Sequence, residues 1–559
     1  MAKRGVVRAT YNETVKLDVY IHNARVITLD PEYPTATSIG IWQGKIVGVD
    51  EAVADLDAHL IVDAGGRTIT PGFHDAHNHM ATFGRSLANI DASPLTSLDA
   101  LYVAIAQRAA AEPESEWIVA DTYDQHQLGG HPTREGLDHA APGRNVVVNH
   151  RTTHMLVAST PVFEMVGAIR PDYPVVEGGF IDRNRDGTPT GLVGEQSMAA
   201  FRNLTRPYSV AALSDALARA SKHYLAEGIT SVGEAGIGNS AIVGSSPIEF
   251  LPYQAAREAG LLGVRVQLMV SMENLHPVVS APQDLIDMGL DLGIRTGLGD
   301  DRLGIGPLKM FTDGAISSRT ASLTLPFCDH ASTGMMQFDG PQLTGLAISA
   351  SRAGWQLAVH AIGDNAVDVG LNVIRAARAA NPSNTRRHRI EHASVVRTDQ
   401  LERFANEDVI ASIQPQFVSA IGDNVLTGLA DRTDWVYRHG SFLRAGARVA
   451  GGSDRPVVDG RPLQAIQDSV HRVTAGGLPF SPAEAVDLTT ALRTYTIDAA
   501  YAIHREDRLG MLRPGYYADL VMLDGDLAAT PPERIANIDV IATVVDGEFL
   551  YDPTGLSTP

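Results

Sequence analysis

The sequence holds a single cysteine, Cys328, among its 559 residues. One thiol excludes an intrachain disulfide, so no disulfide framework stabilises the chain. Cys328 is expected to be a small buried residue rather than a catalytic thiol. No block of basic residues is present, and the net charge of −20 argues against nucleic acid or an anionic membrane as the main partner. No uninterrupted apolar span is long enough to cross a bilayer, and the first twenty residues lack the apolar core of a signal peptide. A soluble, cytoplasmic protein that handles a small molecule is the expectation. Eight strand-like units without a glycine-rich phosphate fingerprint disfavour a doubly wound nucleotide-binding sheet.

What the chain has is alternation. Short runs rich in β-branched residues recur at "TITPGFHDAHNHM", "ITSVGEAG", "VRVQLMV", "GIGPLKMFTDG", "QLAVHAIG", "RIEHAS", "VIASIQP" and "ARVAGGSD". Alanine-rich amphipathic stretches lie between several of them. Eight strands alternating with helices predict an α/β fold, a (β/α)8 barrel of the triosephosphate isomerase type. The first and second strands are separated by well over a hundred residues, where a plain unit takes roughly 30. Residues 81–219 therefore read as a lid inserted on the catalytic side, leaving 68–80 and 220–507 to the barrel. Alternating segments at both ends, such as "LDVYIHNARVITLD" and "YYADLVMLDGD", predict a small β-sandwich built from residues 1–67 and 508–559.

The stretch "PGFHDAHNHM" places His77 and His79 two residues apart, so extended backbone points both imidazoles to one side. Alone, that pair is a weak metal signal. Other strand ends strengthen it: Lys309 on the fourth, His360 on the fifth, His392 on the sixth and Asp454 on the eighth. Functional groups of such barrels sit at the C-terminal ends of strands. Six suitable residues at five such ends point to a metal centre.

The segments "PGFHDAHNHM", "KMFTDGAISSRTA", "HAIGDNAVD", "RIEHA", "SIQPQ" and "GGSDRPV" resemble the amidohydrolase superfamily. Within it they are similar to the amidohydrolase family 3 branch, which includes N-substituted formamide deformylases. With "LGMLRPGYYADLVMLD" near the C-terminus, the resemblance runs from about Asp18 to Asp552. It implies a binuclear site for two divalent ions, zinc by expectation. His77 and His79 would bind one metal with Asp454, His360 and His392 the other, and a CO₂-derived carbamate on Lys309 would bridge them. A free ammonium has no lone pair and repels a cation, so Lys309 helps only when neutral and carrying CO₂. Asp454, a ligand with a second oxygen free, is the candidate catalytic proton shuttle.

The implied reaction is metal-dependent hydrolysis of a non-peptide C–N bond, with N-formyl or N-acyl amines as leading substrates. Esters, carbamates, ureas and cyclic amides at the same site stay open. Mononuclear deamination resembles a different pattern, a histidine followed three residues later by a glutamate. Here Gly363 stands at that place, and Asp364 reads as a helix N-cap. A scaffold that had lost catalysis should also have lost ligands, and all six are present.

Two further residues are candidate substrate contacts. His154 in the lid has an equal reading as a structural hydrogen bond, and Arg319 one as a loop-bracing salt bridge. Asp313 with Gly314 is expected to shape the turn after the fourth strand. Met80, Met155, Met310, Phe311, Met336 and Phe417 hint at an apolar substrate group, though core packing is the stronger reading. His126, His131, His139, His223, His276, His439 and His504 have no partner pattern and are expected at the surface or in caps. Oligomeric state stays open, with a homodimer as one outcome.

Overall fold

The computed structural model describes residues 16–240 and 242–558. The expected sandwich segment 1–15 lies outside the described residues, as does most of the stretch read as lacking a signal peptide. Eight parallel strands form the central sheet: Phe73–Asn78, Ile229–Ile237, Arg265–Ser271, Leu303–Phe311, Leu357–Ala361, Arg389–His392, Ile410–Ile413 and Val449–Gly451. Each pairs with the next in chain order. All but Gln267 in the third are buried, as befits a parallel sheet covered on both faces, and the polar residues of Phe73–Asn78 and Arg389–His392 are the exceptions to its apolar composition.

The last strand meets the first through loop amides. Ser453 and Asp454 donate their N–H groups to the His77 carbonyl at 3.1 and 2.7 Å. A nearly closed barrel results. Closure needs glycine at position 452, because a Cβ there would stand 2.7 Å from the His77 backbone nitrogen. Amphipathic helices cover the outside. Asp364–Ala380, for example, buries Val367, Leu371 and Ile374 along one stripe. Asp364 is the first residue of that helix rather than its cap, and its carboxylate accepts from the Thr324 amide at 3.0 Å.

The segment read as one strand from Thr68 is two. Thr68–Pro71 runs antiparallel to Leu520–Leu523, with Thr70 opposite Val521, and only Phe73–Asn78 enters the barrel. Gly72 separates them. A Cβ at that position would lie 2.3 Å from the Thr230 side chain, so the chain can pass into the barrel only as glycine. The barrel therefore begins after Gly72, not at residue 68.

Thr68–Pro71 belongs to a six-stranded sheet that also holds Arg25–Ile27 and Val540–Val545; a four-stranded sheet includes Leu17–His22 and Ile39–Trp42. The two sheets share a core containing Ile21, Ile41, Ile69, Met522 and Val544. Between the first and second barrel strands, a separate six-stranded sheet runs from Ile90–Asp91 to Pro189–Glu195 with cores of its own. The helix Val210–Ala226 crosses the expected boundary at residue 219. It packs Leu213, Leu217 and Tyr224 into the barrel's core, so the inserted sheet ends before it.

Cys328 is exposed, correcting the expected burial. Phe327 takes the inward position of that loop, and the thiol donates to Asp431 Oδ1 at 3.2 Å. Among the described residues, no helix is long and apolar enough to cross a membrane.

Candidate metal centre

The strand ends converge. His77 is the last but one residue of the first barrel strand, and His79 stands at the start of the helix Met80–Ser86. Their Nε2 atoms lie 3.5 and 3.2 Å from the same oxygen, Asp454 Oδ1. Lys309 Nζ approaches His77 Nε2 at 3.4 Å. The His392 ring packs 4.8 Å from that of His77 and 4.5 Å from that of His360, centroid to centroid. Ligand atoms of His77, His392 and Asp454 all lie within 4.8 Å of one another. All six residues named from the sequence thus fall in one linked cluster. His392 and Asp454 leave their strands with φ of 74° and 59°. That left-handed backbone costs a non-glycine residue on the order of 1 kcal/mol and is characteristic of functional sites.

Outer partners fix which ring nitrogen faces inward. His77 Nδ1 contacts Glu391, whose carboxylate is clamped by Arg389; Arg389 also donates to the Ala76 carbonyl at 2.8 Å and Ser412 Oγ at 2.9 Å. His392 Nδ1 lies 2.9 Å from Gln414 Oε1. Both rings are left with Nε2 directed elsewhere, the arrangement that orients histidines toward a metal. His360 is turned the other way. Its Nε2 sits 3.1 Å from the Gly314 carbonyl, leaving Nδ1 as the remaining donor. Beneath the site, Asp75 accepts from the Ser453 amide at 2.9 Å and the His77 amide at 3.2 Å, bracing both ends of the barrel seam.

Burial sets the protonation. It pulls His77 down to about 4, with the Lys309 charge adding to the effect. Burial also takes His360 and His392 well below the usual imidazole range. All three are neutral at physiological pH and carry a lone pair. Burial lowers Lys309 to about 8, although Glu391 and Asp454 oppose the shift. Burial alone would raise Asp454, but the His79 hydrogen bond and the charges around it hold the carboxyl below its ordinary value. Burial likewise pushes Asp313 up to about 7 against three amide donors, Ile362, Gly363 and Ser322. Those bonds tie the loop after the fourth strand to the end of the fifth.

A cavity opens over the cluster, lined by Lys309, His360, His392 and Asp454 and by apolar groups such as Phe311 and Phe417. Met80 and Met310 belong instead to the barrel core. His154 reaches the cavity from the inserted sheet, with Nδ1 2.8 Å from Glu195 Oε2 and its ring 5.7 Å from His360. Burial works against the charged ring, yet Glu195 holds it above the usual value. Arg319 does not line this cavity. Its guanidinium donates to Asp329 at 3.0 Å, Asn424 at 2.7 Å and the Ile316 carbonyl at 2.8 Å, which braces the loop. His439, expected at the surface or in a cap, is buried with Nε2 3.3 Å from Thr494 Oγ1. Glu391, Gln414, Glu195 and Asp75 were not anticipated. A weak signal existed for Glu391 in "RIEH", where Arg389 shares its face of the strand.

A barrel with histidines, a lysine and an aspartate gathered at its strand ends defines a class, the metal-dependent hydrolases. The chain belongs to the amidohydrolase family, whose family model matches residues 60–551. It is 28% identical to YtcJ of Bacillus subtilis over 498 residues, 88% of this chain and 90% of that one. It is also 28% identical to the N-substituted formamide deformylase of Arthrobacter pascens over 556 residues, covering 96% and 99%. The crystal structure of a metal-dependent hydrolase from Pyrococcus horikoshii is similar with a TM-score of 0.71 at 25% identity, covering 95% and 100%.

Proposed function

We propose that this hydrolase cleaves a non-peptide C–N bond in an amide of the N-formyl or N-acyl amine type, using two divalent metal ions, zinc by preference. The observation that carries the reading is the shared oxygen. Asp454 Oδ1 stands within 3.5 Å of the inward nitrogens of both His77 and His79, in a buried cluster of imidazoles. Those donors suit divalent zinc. His77, His79 and Asp454 would hold one ion and His360 and His392 the other. When bound, the ions supply Lewis acidity and make water nucleophilic near neutral pH.

Lys309 would join the donor set as a carbamate and supply an anionic ligand. Its neutral amine adds to the carbon of CO₂ and sheds a proton, turning a cation into a bidentate anion. A lysine lowered by burial to about 8 spends an appreciable fraction of time as that neutral amine. Asp454 then takes the proton of the attacking water on Oδ2 and delivers it to the departing nitrogen. His154, held through Nδ1 by Glu195, offers Nε2 as a donor to the substrate carbonyl. Support for an amide comes from the similarity to a formamide deformylase along nearly the whole chain.

The test is a screen of matched N-formyl amines, N-acyl amines, ureas, carbamates, esters and lactams with zinc- or manganese-loaded enzyme, following loss of each substrate and appearance of its hydrolysis product by chromatography. Amides should be turned over fastest. Turnover of esters or lactams with no amide hydrolysed would overturn the substrate class while leaving the metal site standing.

A further inference from the structure

A second cavity of about 420 Å³ lies between the helix Met80–Ser86 and the inserted sheet. It shares His79, Thr153, Ile242 and Val243 with the cavity over the metal centre, so the two adjoin at a metal-ligand candidate. Its charge is unusual for a chain with a net charge of −20. Five arginines line it, Arg85, Arg151, Arg202, Arg206 and Arg219, against a single carboxylate, Asp121.

The carboxylates nearby spend their hydrogen bonds elsewhere, although Glu249 still attracts Arg85 and Arg206 through space. Asp121 accepts from Asn89 at 2.7 Å and Asn149 at 2.8 Å. Glu249, beyond the wall, takes the amides of Gly238 and Ser245 on one oxygen at 3.0 and 2.7 Å. Arg151 pairs with Asp124 at 3.0 Å. Among the described residues, neither Arg85 nor Arg206 makes an ion pair. Among the described residues, Arg85 stacks on the Tyr208 ring at 4.2 Å and leaves its Nε without a hydrogen-bond partner, while Arg206 donates to the Ser240 carbonyl at 2.8 Å. Arg202 spans the boundary between the cavities, donating to the carbonyls of Ile242 at 2.5 Å and Thr153 at 2.7 Å. Desolvation and then the like charges of Arg206 and Arg85 weigh against its charge, with Asp121 opposing them. Five guanidinium cations against one lining carboxylate, with Arg85 and Arg206 outside any ion pair among the described residues, leave an excess of positive charge that a carboxylate would meet with charge-assisted hydrogen bonds.

We infer that this cavity is a subsite for an anionic substrate group: Arg85 and Arg206 bind a carboxylate at the far end of an amide whose reacting carbonyl lies over the metal centre. Trp117, Phe201 and Tyr208 in the same wall would cover an apolar body between the two ends. The inference rests on the amide hydrolysis proposed above for its activity arm, but its binding arm does not.

The experiment pairs N-formyl-6-aminohexanoate with N-formylhexylamine, which differ in the terminal carboxylate. Wild type should favour the carboxylate in kcat/KM, and Arg206→Gln or Arg85→Gln should cut that preference by about tenfold to a hundredfold. Arg170→Gln, an exposed arginine of the insertion, should change neither substrate. The same two compounds are titrated into metal-free protein while Trp117 emission is followed, with Trp117→Phe as the blank. Saturable quenching by the carboxylate in wild type, weakened in Arg206→Gln, supports the subsite even if no amide is hydrolysed. Equal preference for the two compounds in wild type, or quenching that survives both arginine variants, overturns it. Should Arg206→Gln fail to fold, Arg85→Gln on the helix face carries the same reading, and Arg85→Lys should retain part of the preference.

Discussion

Asp454 and His77 meet twice: the Asp454 amide donates to the His77 carbonyl at 2.7 Å, and Asp454 Oδ1 lies 3.5 Å from His77 Nε2. The first contact closes the barrel and the second begins the candidate metal centre. Site geometry is therefore set by the same seam that joins the ends of the sheet, and Asp75, bonded to the His77 and Ser453 amides, locks it from below.

Metal content should be close to two ions per chain, because six ligand candidates exceed what one tetrahedral ion needs. Elemental analysis of protein purified without chelator measures this. A reproducible single equivalent with full activity would refute the binuclear reading. Chelation should abolish turnover and lower the melting temperature, since ions that bind only the folded chain stabilise it.

Asp454→Asn should leave the seam intact, because closure uses the backbone of residue 454 and not its carboxylate. Most metal should remain on the histidines. Turnover should fall by roughly 10²–10⁴, the range for losing a positioned proton carrier. Near-normal kcat on the best substrate would make Asp454 a ligand only.

Lys309→Ala should lower metal occupancy and activity together. Formate or acetate could occupy the vacated space as a bridging anion, so activity should rise with carboxylate concentration in the presence of zinc. Lys309→Arg should be inactive and resist rescue, since a guanidinium stays protonated and cannot take up CO₂. A flat acetate curve for the Ala variant, together with an active Arg variant, would remove the carbamate.

Asp468 gives a pH prediction away from the metal centre. Burial raises its carboxyl from 3.8 to about 7, against hydrogen bonds from Ser419 and Gln464. The folded state thus holds this proton more tightly than the unfolded state. Its stabilising effect is full below pH 4 and is lost as the pH climbs through 7. Asp468→Asn, which keeps the shape, should match wild type near pH 4 and melt several degrees higher at pH 9, a gain of roughly 4 kcal/mol. Equal melting differences at both pH values would show that Asp468 does not titrate in this way.

The barrel was legible because strands buried on both faces, such as Arg265–Ser271 and Leu303–Phe311, are written largely as apolar runs whatever their neighbours. The six candidate ligands were legible because histidine, lysine and aspartate at such ends are chemically conspicuous. What supports them was not. Glu195 reaches His154 from 41 residues away and Glu391 reaches His77 across 314, and no local pattern encodes such pairings. Arg319 shows the same limit: nothing in "SSRTA" says that Asp329 and Asn424 will take up its guanidinium. The break at Gly72 was hidden because the reason for it is Thr230, on a different strand.

The pairing of Thr68–Pro71 with Leu520–Leu523 also sets a timetable. During synthesis at about 5–20 residues per second, the early strand waits roughly 20–90 seconds for its partner to leave the ribosome. Until then one edge of its sheet stands open, a template for pairing with other nascent chains. The barrel's first strand follows directly after Gly72, so its entry angle is also fixed last. Translation pausing ahead of residue 520 should therefore decide how much of this protein reaches its native state, and chaperone demand should concentrate in that interval.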